Sequence, residues 1–225
     1  MNRSISAAVI LLSLASRAAG QVVVTEPTRV FDVAKDIPDM TNPPLVFSQT
    51  IANSSITSLT QLEVSLVLVG DPVGQGFASD MVVTLNQNLG QTATLLNQVG
   101  VSSSDPVGNG YDGWNVTFND GAANGDVHTQ TSVTSGVLTG DWQPDGRVLP
   151  TDTARTQLLN VFNGSSGNGV WRLSVGDLES GGTMRLESWS ITLTGYAAVP
   201  ESGEWAGISG GCLLVFVFVR NRKAT

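Results

Sequence analysis

An all-β sandwich is the fold class this sequence predicts, and three observations predict it. In the stretch 169–195, Trp171, Leu173 and Val175 alternate with Arg172, Ser174 and Gly176, and Trp189, Ile191 and Leu193 alternate with Ser190, Thr192 and Thr194. That period of two is the mark of a half-buried strand. Similar runs recur along the chain at a spacing of roughly 8–12 residues, separated by Gly, Asn and Asp turns, which favours a sandwich over any helical plan. Third, only 13% of the 225 residues are charged and 25 are Gly, a composition of extracellular β-rich chains, while a hydrophobic fraction of 41% suffices for a core.

The elements follow in order. Residues 1–20 carry Arg3 in a short polar start, an apolar run from Ile5 to Ala15, and small residues Ala18-Ala19-Gly20, the layout of a secretory signal peptide cut after Gly20. Residues 21–36 form an N-terminal extension that opens with a β-branched strand, Gln21–Thr25. Phe31–Pro44, with Asp32, Asp36, Asp39 and three prolines, reads as extended loop. Leu45–Ile51 is a short strand, and Ile56–Val69 a longer one with Leu62, Val64, Leu66 and Leu68 on one side and Val67 and Val69 on the other, which reads as a strand buried on both faces or nearly so. Met81–Asn86 and Ala93–Leu96 are strands around a turn. Val101–Gly113 is a polar surface loop, and Trp114–Asp120 alternates again. Residues 126–138 read as loop with weak strand character, and Arg155–Phe162 as the one stretch able to form a short helix. Leu178–Gly182 supplies a turn between the two Trp-bearing strands, as in an ordinary antiparallel pair. Leu186 falls on the opposite parity to Trp189, so a bulge or break between them is required to restore the register.

The wording of several segments carries more than their pattern. Gly169-x-Trp171-x-Leu173-x-Val175-x-Asp177, a Gly-containing turn, then Leu186-x-x-Trp189-x-Ile191-x-Leu193 resembles the end of the P (Homo B) domain of proprotein convertases and some bacterial subtilisin-like proteases. Further matches run in the family's order. They are Ile37-Pro38-Asp39, Asp80 before a hydrophobic strand, Phe118-Asn119-Asp120-Gly121-Ala122, Gly140-Asp141-Trp142-Gln143-Pro144, and Leu159 to Gly164 as L-x-x-F-x-G. The turn at residues 87–92 keeps Gly90 and Thr92 but lacks the family's Ser-Pro. The resemblance covers residues 37–196 and implies a jelly-roll β-sandwich similar to galactose-binding domains. It implies an accessory module without catalytic residues, which stabilises a neighbouring protease domain.

The chain's ends add a second resemblance. Val199-Pro200-Glu201, an apolar Gly-rich run to Val219, and Arg220, Arg222 and Lys223 are similar to the PEP-CTERM sorting signal of Gram-negative bacteria, with Ser202 in place of the usual second proline. From Trp205 to Val219 a helix would span about 22 Å against a bilayer core of about 30 Å, and the terminal cations can snorkel. The resemblance implies a tail at 197–225 with a transmembrane helix, recognition by an exosortase, and delivery to the cell envelope or extracellular matrix.

Candidate chemistry is sparse. A net charge of −8 disfavours nucleic acid and suits divalent cations. Cys212 is the lone cysteine and His128 the lone histidine, so the usual zinc ligand sets are lacking. No G-x-S-x-G accompanies His128, which reads as an exposed loop residue. Turn aspartates such as Asp105, Asp112 and Asp145 hydrogen-bond their own backbone in most turns, which argues against a glycosidase pair. Asp80, Asp120 and Asp177 each flank a strand and are the candidate calcium ligands, with Asn119 as a further oxygen; turn capping is their other reading. Among the tryptophans, Trp142 lies in a Gly/Pro context and is the candidate for surface contact with a ligand such as a sugar.

The sequence thus predicts an exported, non-catalytic interaction or structural module of the envelope. A carbohydrate-binding module and a protease-associated P domain acting in trans are the alternatives. The partners implied are an exosortase, polysaccharide or envelope proteins, and the membrane before processing.

Overall fold

The structure, a computed structural model, describes residues 21–72, 74–131 and 136–198. Val22–Ala198 form one compact unit. Ten strands are described: β1 (Gln21–Thr25), β2 (Arg29–Ile37), β3 (Leu45–Ile51), β4 (Ile56–Gly70), β5 (Met81–Gln87), β6 (Thr92–Asn97), β7 (Gly113–Phe118), β8 (Val137–Trp142), β9 (Gly169–Asp177) and β10 (Met184–Ala198). The helical elements among the described residues are single 3-10 turns at Ala78–Asp80, Val127–Thr129 and Leu159–Phe162. The predicted short helix is the last of these.

The strands form two sheets, as a sandwich requires. The first runs β1-β10-β4-β7-β8, with β2 also on β10; the second runs β3-β9-β5-β6. β10 pairs antiparallel with β2 and β4, β4 with β7, β9 with β3 and β5, and β5 with β6, whereas β8 runs parallel to β7. The inward residues of both sheets meet in one core. It holds Leu62, Val64, Leu66 and Leu68 of β4, Trp171, Leu173 and Val175 of β9, and Leu186, Trp189, Ile191 and Leu193 of β10. Trp114, Trp171 and Trp189 are its largest members.

The expected bulge is present. Along β10 the pairing passes from Leu186 to Ser188 while the β4 partner moves only from Leu68 to Val67. The extra residue turns both Leu186 and Trp189 inward.

Two expectations need correction. The Trp-bearing strands β9 and β10 are not an antiparallel pair but belong to opposite sheets, and residues 178–183 cross between them. Alternation told which side chains face inward, and it is silent about which strand lies alongside. Phe31–Pro44 is not all loop, because its first part completes β2. β2 pairs with β10 so that Phe31 lies opposite Trp189, and the two rings sit 4.6 Å apart. The segment 21–36 thus contributes β1 and most of β2 to the first sheet. Glu26 holds the break between β1 and β2: its carboxylate accepts from Ser54 Oγ and the Ser55 amide and pairs with Arg29.

One end of the sandwich is fixed by Asp112. Its carboxylate accepts from the Gly74 and Gly76 amides, both at 2.7 Å. Gly113 follows at φ +133, where a Cβ would lie 2.3 Å from the Leu68 carbonyl oxygen, so only glycine lets β7 approach β4 there.

Trp171→Ala and Trp189→Ala are each expected to cost about 3–5 kcal/mol in denaturant unfolding. Phe31→Ala is expected to cost about 1–3 kcal/mol. A Phe31 variant as stable as the parent would show that β2 is not part of the core.

Candidate functional site

Asp80 and Asp177 are brought together by strand register. Asp80 closes the turn Ala78–Asp80 and leads into β5, and Asp177 ends β9. Met81 pairs with Asp177, and the Leu178 amide donates to the Asp80 carbonyl at 2.8 Å. Both carboxylates thus lie at the end of the second sheet where the chain crosses to β10. Asp177 is 1% exposed and Asp80 6%. The Glu179 amide steadies the Asp177 carboxylate and the Ser79 hydroxyl steadies that of Asp80, but burial outweighs both. Burial above all, then the charges of Asp80 and Asp39, push the Asp177 carboxyl up to about 7. Burial, then Glu179 and Asp39, push Asp80 up to about 6. A cleft lined by residues 74–77 and 180–182, with Asp80 and Gly110, opens beside the pair.

Asp120 does not join them, which corrects the expected grouping of three. It follows β7, whose other end, Gly113, lies with the Asp112-pinned loop next to β10's start; Asp120 is at the opposite end of the first sheet. Its two oxygens accept from the Leu159 and Asn160 amides at 2.9 and 2.7 Å, holding the turn Leu159–Phe162. Asn119 likewise caps its own turn, accepting from the Gly121 amide. Among the described residues no three His, Cys, Asp or Glu side chains already converge as a metal site.

His128 is buried and not an exposed loop residue. Its Nδ1 lies 2.6 Å from Asp145 Oδ2 and its Nε2 3.0 Å from the Val101 carbonyl oxygen. Both partners are acceptors, so both ring nitrogens must carry protons, and the ring is an imidazolium. Burial pulls its pKa down, but the Asp145 bond and charge and the Val101 carbonyl outweigh that and raise it. Arg147 bridges Asp126 at 2.7 Å and Asp145 at 3.3 Å, and Arg155 Nε donates to the Asp145 carbonyl. Asp145 itself is fully buried. A His–Asp pair is part of a hydrolase triad, yet the nitrogen that would activate a nucleophile is spent on Val101. The sequence carried no signal for this cluster, since His128 finds its partners 17 and 27 residues away.

Trp142 corrects the expected surface contact. It is 7% exposed, belongs to the core, and donates its indole N–H to the Thr139 carbonyl at 3.0 Å. The sorting-signal residues Val199, Pro200, Glu201, Arg220, Arg222 and Lys223, and the signal peptide 1–20, lie outside the described residues. Among the described residues no helix is long and apolar enough to cross a membrane.

No family model matches the chain, and no curated protein matches it. Among solved structures, the crystal structure of the Aeromonas sobria serine protease in complex with its chaperone is similar at 18% identity. The alignment covers 78% of this chain and 27% of that chain, with a TM-score of 0.44. The chain thus spans about a quarter of the protein it aligns with.

Two outcomes are expected for the buried cluster. Asp145→Ala, which removes the buried carboxylate shared by His128 and Arg147 and leaves His128 without its counter-charge, costs about 3–5 kcal/mol. The imidazolium contributes fully below the ordinary histidine pKa of about 6.5 and stops contributing as pH rises through its raised native value. The stability difference between the parent and His128→Gln, measured by urea unfolding, therefore shrinks as pH rises above about 6.5. A constant difference would refute a charged His128.

Proposed function

We propose that the chain is an exported, non-catalytic β-sandwich module, presented at the cell envelope or in the extracellular matrix after an exosortase-type protease removes its tail. The observation that carries this reading is the placement of the sorting motif. β10 ends at Ala198, and Val199-Pro200-Glu201 are the next residues in sequence. Cleavage after that strand would leave the sandwich whole, as a sorting step requires. The signal-like start at residues 1–20 fits the same route. The polar groups that could suggest hydrolysis fit a structural role, since His128, Asp145, Arg147 and Asp126 bond one another.

The module itself is best read as a P-domain-like jelly roll, and one contact favours that. Two of the matched segments meet in space: Asp120 of Phe118-Asn119-Asp120-Gly121-Ala122 holds the amides of Leu159 and Asn160 in the L-x-x-F-x-G segment. Matched motifs that support each other physically are a stronger sign than matched letters. The role that follows is stabilising or positioning a protease or envelope protein in trans. A carbohydrate-binding role loses its aromatic platform with the burial of Trp142.

Expressed with an exosortase in a Gram-negative host, the chain is expected to lose its C-terminal tail. Replacing Val199, Pro200 and Glu201 together by Ala should leave the precursor uncut, as read by intact mass. Cleavage of that triple variant at the same place would defeat the sorting reading. The purified chain should leave unfolded casein intact; hydrolysis abolished by a serine-directed inhibitor would defeat the non-catalytic one.

A further inference from the structure

We infer that β3 is the docking edge for a second copy of this chain, the two β3 strands pairing antiparallel across a two-fold axis at Ser48. Strand β3 ends the second sheet, and among the described residues it pairs with β9 alone. The Asn88 amide donates to the Val170 carbonyl, so alternate β9 residues from Val170 onward turn their backbone groups toward β5. Trp171, Leu173 and Val175 therefore turn theirs toward β3, where they meet Gln49, Phe47 and Leu45. That leaves the N–H and C=O groups of Val46, Ser48 and Thr50 pointing outward, and no described residue bonds them. All three residues are exposed, Val46 by 55%. Leu45 and Phe47 pack against the core but stay half-buried, because β3 has no outer neighbour.

The other sheet edges are blunted, as edges of soluble β-proteins usually are. The first sheet ends in β1 and β2, an edge broken at residues 26–28, charged at Asp32, Lys35 and Asp36, and interrupted by Ala34 at φ +49. At its opposite side, β8 carries Asp141 beside Gly140 at φ +97. The far edge of the second sheet, β6, is covered by a loop. The Thr94 amide donates to the Gln157 carbonyl, and the Gly146 and Asp145 amides donate to the Thr94 and Leu95 carbonyls. Strand β3 has none of these devices. It runs in unbroken register with β9 from Leu45 to Ile51, without a charge, a proline or a bulge.

Charge and symmetry single out a second copy as the occupant. Residues 40–62 contain no Asp, Glu, Lys or Arg, in a chain whose net charge is −8. Copies of an acidic chain repel one another, and least where a neutral strand meets a neutral strand. The strand is also complementary to itself. With Ser48 opposite its mate, Val46 falls opposite Thr50, and every outward N–H and C=O of these residues meets its complement. The side chains then form Ser–Ser and Val–Thr pairs, which suit cross-strand contact, and the mate covers the open side of Leu45 and Phe47. Arg172, beside Ser48 on β9, lies about 14 Å from its counterpart, three strand spacings away, where salt screens most of the repulsion. The pair consumes both open edges, so the joined sheet ends in two covered β6 strands and closes as a dimer.

Sedimentation velocity of the purified full chain over a concentration series tests this. A dimer is expected to form at about 10–100 μM, since one strand pair is smaller than a stable interface. Ser48→Lys sets two like charges face to face at the axis without touching the β9 ladder, and should weaken the dimer by about tenfold or more. Val23→Lys, on the exposed β1 edge, should leave it unchanged. Both variants should keep the parent's Tm within about 2 °C, which separates lost pairing from lost folding. In a Cys212→Ser background, Ser48→Cys should cross-link two chains on mild oxidation, as Cα atoms about 5.5 Å apart allow. A parent that stays monomeric throughout the series overturns the inference, whatever the variants do. So does a dimer that Ser48→Lys leaves intact, or one that Ser48→Cys fails to cross-link. The proposed module role needs no dimer, so failure here leaves it standing, and failure of tail processing leaves the dimer standing.

Discussion

Burial of Trp189 is the constraint on which the first sheet depends. The indole lies on β10, which is paired on one side with β4 and on the other with β1 and β2. To reach the core it needs the bulge at residues 186–188, because strict alternation would leave either Leu186 or Trp189 in solvent. It also needs a cover on its outer side, which Phe31 of β2 supplies. The second sheet answers with Trp171 on β9, packed edge-on against Phe162 at 5.2 Å. Phe162 sits in the turn that Asp120 holds. A chain of named contacts therefore runs from the β2 edge, across the core, to the turn that closes the far end.

The connection between β9 and β10 follows from the same packing. Were the two strands hydrogen-bonded neighbours, their tryptophans would crowd one face of one sheet and leave the other sheet without a large anchor. Placed in opposite sheets, they fill the interior from both sides, which is how a sandwich reaches interior packing density. The crossing at residues 178–183 also brings Asp177, Glu179 and the start of β10 to the end where Asp80 enters β5. The acidic end is thus a by-product of how the two sheets are joined.

Much of this was legible from residues alone, and the limits have physical reasons. β4, β9 and β10 alternate cleanly because one face of each is buried, and the bulge showed as a parity error between Leu186 and Trp189. β2 was hidden because it is an edge strand: most of its residues are exposed or half-buried, so its identity comes from its partner β10 and not from its own pattern. Asp80 and Asp177 were legible as strand-flanking acids. Asp120 has the same local signature, and only the direction of β7 reveals that it lies at the other end. The His128 cluster left no trace, because its partners are distant in sequence and Asp145 looks like any turn aspartate beside Gly146.

Two buried acidic groups in one domain meet opposite fates. Asp145 sits among His128, Arg147 and backbone donors, and Arg155 holds its carbonyl; every charge has an answer within the chain. Such a network fixes the loops that cover β6, since the Asp145 and Gly146 amides also bond the Leu95 and Thr94 carbonyls of that strand. Asp177 is as deeply buried, yet its neighbours are Asp80, Asp39 and Glu179, all of its own sign. Its register with β5 sets a second carboxylate beside it, and burial together with that charge raises both carboxyl pKa values.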